Sequence, residues 1–144
     1  MGRRRVSNQP IRLAAGAFIL NAGIGKLSAD EARAGGLHEM AKGSFPFFEK
    51  VAPEQFAKGL AVSEIALGAA LLTPLVSDRL AGLALTPFAG GLVWMYAHMD
   101  AMHEPNSLRP TQTGTGLAKD VWLLGIGLTL LASGRRRSKQ DRRA

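Results

Sequence analysis

Glu64 is the one charged side chain in the 19 residues 59–77, a stretch otherwise built of Gly, Ala, Leu, Val, Ile, Ser, Thr and Pro. A carboxyl group inside an apolar span is costly to accommodate and marks a candidate site by default. Its chemistry is that of a proton acceptor, or of a hydrogen-bond acceptor for a bound head group. Asn21 offers an amide on a different apolar segment. With Lys26 and Lys58 as markers of one membrane edge, Asn21 lies ~7.5 Å and Glu64 ~9 Å below it at the helical rise. His98 leaves a third segment at that edge, and Lys119 and Asp120 enter a fourth there. Glu64, Asn21, Lys26, Lys119, Asp120 and His98 are therefore expected to line one polar pocket that binds a small polar molecule or head group.

Plainer roles compete with this one. Glu64 serves equally, and Asn21 more readily, as hydrogen-bonding glue between helices, and Lys119 and Asp120 serve as interfacial residues, Asp120 favoured by a helix N-terminus. His98, Asp100 and His103 are metal-ligand types, but their spacing fits no metal motif, so no metal site is expected.

The elements that must position these residues are apolar helices. Residues 80–97 form an 18-residue run without charge, the length and character of a transmembrane segment. Four spans are expected, at about 11–27, 57–77, 80–98 and 117–133, with basic tails at 1–9 and 134–144. The whole chain, 1–144, then forms one membrane domain, an all-α four-helix bundle. In the first span Arg12 and Lys26 bracket the apolar body and extend its reach by snorkelling. A basic start and short apolar body also describe a signal peptide. That reading is the lesser one, because cleavage would leave three spans.

Ala57, Ala61, Glu64 and Gly68 share one stripe of the second span, and Ala14, Ala17, Asn21 and Gly25 form a similar stripe on the first. Small residues let membrane helices approach closely, so both stripes are expected to face protein. Ser77, Asp78 and Arg79 make a link short enough to pair the second and third spans antiparallel. Pro87 is expected to kink the third. Between the first two spans, Ser28 and Glu31 have the spacing of a capping box. They open a helix that weakens at Gly35 and Gly36 and ends near Gly43. Phe45, Phe47 and Phe48 around Pro46 suit a membrane interface or a lid on the bundle.

The net charge of +7 and the 47% hydrophobic content give a mean hydropathy of only +0.05, an average that hides the segregation of charge to tails and loops. The absence of cysteine excludes disulfides, thiol relays and zinc–thiolate sites. Both basic tails abut apolar helices, so they are read as topogenic and no nucleic-acid partner is expected. With both termini inside, 11 basic residues lie inside and 7 lie in the longer outer loops, the positive-inside pattern of an even number of spans. Trp94, Tyr96 and Trp122 then fall at the outer interface, as an aromatic belt would.

Taken in order, these features resemble the DoxX-like family of small bacterial integral membrane proteins. The likeness rests on IRLAAGAFILNAGIGKL with Arg12, Gly23 and Lys26, on PFFEKVAPEQFAKGLAVSEIALGAALL with Glu64, and on AKDVWLLGIGLTLL with Lys119 and Asp120. It implies a multi-pass protein of the bacterial plasma membrane, with links to quinone-reducing oxidoreductases and to complexes that counter oxidative stress. The expected function is a membrane subunit or scaffold of such a redox system, with a quinone as the implied cofactor and redox enzymes as the implied partners beside the lipid bilayer. The alternative is a non-catalytic four-helix membrane protein that binds a partner protein or lipid. Catalysis, substrate and oligomeric state are left open by the sequence.

Overall fold

A computed structural model describes residues 7–141, with side chains for 7–133. Arg3, Arg4, Arg5, Arg142 and Arg143 of the basic tails lie outside the described residues, as do the side chains of Arg135, Arg136, Arg137 and Lys139. Among the described residues the regular structure is helical, with one isolated bridge between His103 and Pro110. The helices are α1 (Gln9–Leu27), α2 (Glu31–Ser44), α3 (Pro53–Leu72), α4 (Asp78–His98), the single turn α5 (Thr115–Ala118) and α6 (Val121–Asp141). A 3-10 segment, Pro46–Lys50, connects α2 to α3. Three stretches are long and apolar enough to cross a membrane: Pro53–Leu72, Asp78–His98 and Thr115–Ser133.

Local chemistry sets the helix ends. Asp30 caps α2, its Oδ1 accepting from the Arg33 N–H at 2.8 Å, so the start is one residue-pair away from the expected Ser28 box. The helix continues through Gly35 and Gly36 to Ser44. Pro53 opens α3 at its first position, where a missing N–H costs nothing. The second apolar stretch stops at Leu72, short of the expected 77, because Thr73 precedes Pro74 and is driven out of the helical region. The link to α4 is therefore 73–77. Ser77 caps α4 by accepting from the Leu80 N–H at 3.3 Å. Pro87 lies inside α4, which runs past it as one helix.

The long helices form two antiparallel pairs. α1 lies along α3, and α4 along α6. A Cβ on Gly68 would sit 2.7 Å from the Leu20 nitrogen and 2.9 Å from the Gly16 carbonyl oxygen. One on Gly82 would sit 2.7 Å from the Leu131 nitrogen and 2.8 Å from the Gly127 carbonyl oxygen. Backbones this close need a residue without a side chain at the crossing. The brevity of the link between α3 and α4 does not make them the tight pair. Each packs chiefly on another helix, because the glycines that permit close approach face that way.

The α3 stripe of Ala57, Ala61, Glu64 and Gly68 is buried, as its spacing predicts. The stripe expected on α1 is rotated. Ala14, Ala17 and Asn21 are exposed, and the packing face is Arg12, Ala15, Gly16, Ile19 and Gly23. Arg12 fixes that rotation. The residue is 2% exposed, and its guanidinium uses its full fork of donors. Nε donates to the Leu71 carbonyl, Nη2 to those of Ala70 and Thr73, and Nη1 to the Val76 carbonyl and Asp78 Oδ1, all at 2.9 Å. These carbonyls are ones that the end of α3 and the following turn leave without helical partners. The expected snorkelling role of Arg12 is thus replaced by an inward one: it is the C-terminal cap of α3, tied to the start of α4.

Arg12 with Leu71 and Asp78, and Gly82 with Leu131, place the N-terminus of α1, the C-terminus of α3, the N-terminus of α4 and the distal part of α6 at one end. Buried Ile19, Leu67, Leu71, Leu85, Leu123 and Leu130 fill the space between the pairs. Toward the other end the pairs separate, and α2 with the 3-10 segment covers the gap.

Candidate functional site

The gap holds a cavity of about 460 Å³, within the usual ~300–1,000 Å³ of small-molecule sites. Its walls are mostly apolar. Phe18 and Ala22 come from α1, Phe56 and Leu60 from α3, and Phe88 and Met95 from α4. Phe45 and Phe48 close it from the connection between α2 and α3. Among the described residues, three charged side chains line it: Lys26, Glu64 and Asp120.

Gly23 brings the first two together. A Cβ there would lie 2.9 Å from the Ala61 carbonyl oxygen, the Glu64 Cβ and the Ile65 nitrogen, so α1 crosses α3 in direct contact at the glutamate. Lys26 follows almost one turn later on the same face. Its Nζ donates to Glu64 Oε2 at 2.8 Å and Oε1 at 3.1 Å. The side chains are 14% and 8% exposed, so the pair is largely withdrawn from water. The Ala22 carbonyl oxygen lies 3.4 Å from the same Nζ.

Asp120 arrives from the opposite helix pair, at the turn between α5 and α6. It is half-buried, and it interacts electrostatically with both Glu64 and Lys26. Among the described residues no hydrogen-bond donor meets its carboxylate. The polar end of the cavity thus joins one cation to two carboxylates, with apolar and aromatic surface below. Such a site can bind a molecule with a polar head and an apolar body.

Of the six side chains expected at one pocket, the structure brings Lys26, Glu64 and Asp120 to it. Asn21 is exposed on the far face of α1, a consequence of the rotation that Arg12 imposes. Lys119 is exposed, one residue from Asp120 but turned out of the cavity. His98 is exposed and stacks on Trp94 with ring centroids 3.9 Å apart, its Nδ1 2.9 Å from the Trp94 carbonyl oxygen. The nitrogens of His103 lie 3.2 Å from the carbonyl oxygens of Glu104 and Ala97.

Sequence reasoning passed over His38. It is buried on α2, its Nε2 lies 2.8 Å from the Phe48 carbonyl oxygen, and its ring meets that of Phe56 edge-on at 5.7 Å. It ties the phenylalanine segment to α2 and thereby holds the cover of the cavity. The signal was its helical spacing with Ala34 and Ala41, which are buried beside it. The two roles considered for the phenylalanines divide among them: Phe45 and Phe48 turn into the cavity, and Phe47 is exposed.

Comparison with family models, curated proteins and solved structures returns no match.

Proposed function

We propose that the chain is an integral membrane protein of four spans that holds a lipid-soluble molecule by its polar head, as a subunit or scaffold of a quinone-linked or oxidative-stress redox system. The observation that carries this reading is the Lys26–Glu64 pair, with Asp120, at the polar end of an apolar cavity between two helix pairs. Three helices have the length and apolarity of spans, and α1, of 19 residues, is paired antiparallel with one of them. This order supports both termini on one side, and the charge distribution favours the cytoplasm for that side. The resemblance to DoxX-like proteins is the ground for a bacterial plasma membrane and for the redox assignment.

The lining fits a quinone. Phe45, Phe48 and Phe88 would hold the ring, and Lys26 would meet an oxygen of the head. When bound, a quinone supplies two-electron, two-proton chemistry. The chain's own part is to orient the head, exclude water from it and hold a proton at a carboxylate oxygen of Glu64 or Asp120.

A second reading is a non-catalytic membrane protein that binds lipid or a partner protein. It is favoured by the Lys26–Glu64 pair being satisfied internally. Mass spectrometry of gently solubilised protein, together with photo-cross-linking by a quinone analogue, separates the two. The first reading expects a co-purified redox-active molecule and labelling at Phe48 or Phe88. Phospholipid alone, with no labelling, sinks it in favour of the second.

A further inference from the structure

The charges in the cavity do not balance, and this selects a head group. Among the described residues, Lys26 is the one cationic side chain that lines the cavity, against two carboxylates. Its Nζ is already committed to both oxygens of Glu64. The Asp120 carboxylate has no hydrogen-bond donor among the described residues, and it faces the Glu64 charge as well as that of Lys26. Lys119 is exposed, and water screens its charge. One negative charge is thus in excess beside an apolar space, where an uncompensated charge is costly.

We infer that the cavity binds amphiphilic amines, with the ammonium at Asp120 and the apolar chain among the phenylalanines. An ammonium supplies what is missing there, a positive charge and several N–H donors. Charge-assisted hydrogen bonds to a carboxylate are about twice as strong as neutral ones. A carboxylate or sulfate head would add repulsion, and a carbonyl head would bring an acceptor to a group that needs a donor. This inference rests on the cavity being a ligand site and not on the redox assignment, and it sets an amine against a quinone as the preferred occupant.

The test uses the full chain in phosphatidylcholine nanodiscs, with empty discs as the partitioning control. Dodecylamine, dodecanol, dodecanoate and a decyl-substituted benzoquinone compete against a photoreactive dodecanol analogue. Dodecylamine is expected to compete about tenfold more tightly than dodecanol, which corresponds to about 1.4 kcal/mol, and dodecanoate is expected to be the weakest. Asp120→Asn should remove the advantage of the amine over dodecanol. Equal affinity of amine and alcohol, tighter binding of the quinone, or an amine preference that survives in Asp120→Asn overturns the inference and leaves the ligand pocket standing. If no probe labels the cavity of wild-type protein that still unfolds cooperatively, the pocket itself falls and the inference with it. The wild-type series decides between these outcomes even if Asp120→Asn does not fold.

Discussion

Lys26 Nζ lies 2.8 Å from Glu64 Oε2, at the point where α1 and α3 touch through Gly23. Each charge is in place because the other is. Removing one partner of a buried pair leaves the other uncompensated and costs about 3–5 kcal/mol. Lys26→Met and Glu64→Gln should each lower stability by about that much. The double variant Lys26→Met/Glu64→Gln, which leaves no net charge, should recover most of the loss. Thermal unfolding of the purified variants in detergent, arranged as a double-mutant cycle, checks this. Simple additivity of the two losses would refute the coupling.

Arg12 makes five hydrogen bonds at the opposite end. Arg12→Ala is expected to destabilise by about 3–5 kcal/mol, the range for breaking a buried charged contact. Arg12→Lys should recover little. An ammonium has three donors about a point, whereas the carbonyls of Ala70, Leu71, Thr73 and Val76 are arranged around a planar fork. A lysine variant as stable as the wild type would show that charge alone, rather than the fork, holds this end.

Gly68 and Gly82 mark the two tightest helix crossings. A methyl group at either would meet backbone atoms at 2.7 Å, which cannot move aside as a side-chain tip can. Gly68→Ala and Gly82→Ala should each cost about 1–3 kcal/mol, the usual range for overpacking. Gly59→Ala is the control: nothing lies within 4 Å of its would-be Cβ, and a small gain in helix propensity is expected. Unfolding midpoints of the three variants provide the comparison.

How much of this was legible in the sequence depends on the kind of signal. Glu64 announced itself because a single charge in an apolar stretch has few explanations. The α3 stripe followed from local spacing, whereas Ser77, expected in the link, caps α4. The α1 face did not, because Ala14, Ala15, Gly16 and Ala17 are small in succession and spacing cannot choose among neighbouring stripes. The choice was made by Arg12, whose acceptors lie some 60 residues away at 70–78. Asn21 was misplaced for that reason. A lid role for the phenylalanines was one of two readings open from the sequence, but their meeting with His38 was hidden for a related reason: it depends on how α2 folds back over α3, which no local pattern encodes.

His38 gives a way to loosen the cover without touching the charged groups. It holds the Phe48 carbonyl and packs on Phe56. His38→Ala should free the 46–50 segment and raise its amide hydrogen exchange, while the exchange of α4 stays unchanged. Binding of an apolar probe to the cavity should weaken several-fold, chiefly through a faster off-rate. Unchanged exchange at 46–50 would mean that the phenylalanine packing alone secures the segment.

The proposed topology can be tested directly because the chain has no cysteine of its own. Leu75 is 92% exposed in the link between α3 and α4, at the end shared with the start of α1. Gln112 is exposed in the loop beyond α4, at the other end. Neither side chain makes a hydrogen bond among the described residues. With both termini in the cytoplasm, Gln112→Cys should react with a membrane-impermeant maleimide in intact cells. Leu75→Cys should react only after the membrane is opened. The reverse pattern would invert the orientation drawn from the basic residues and place the Lys26–Glu64 end toward the cytoplasm. Labelling of both positions in intact cells would place them on one side of the membrane, so that α4, the long helix between them, would not cross. The four-span reading would then fail at α4, the stretch whose apolar run is the longest.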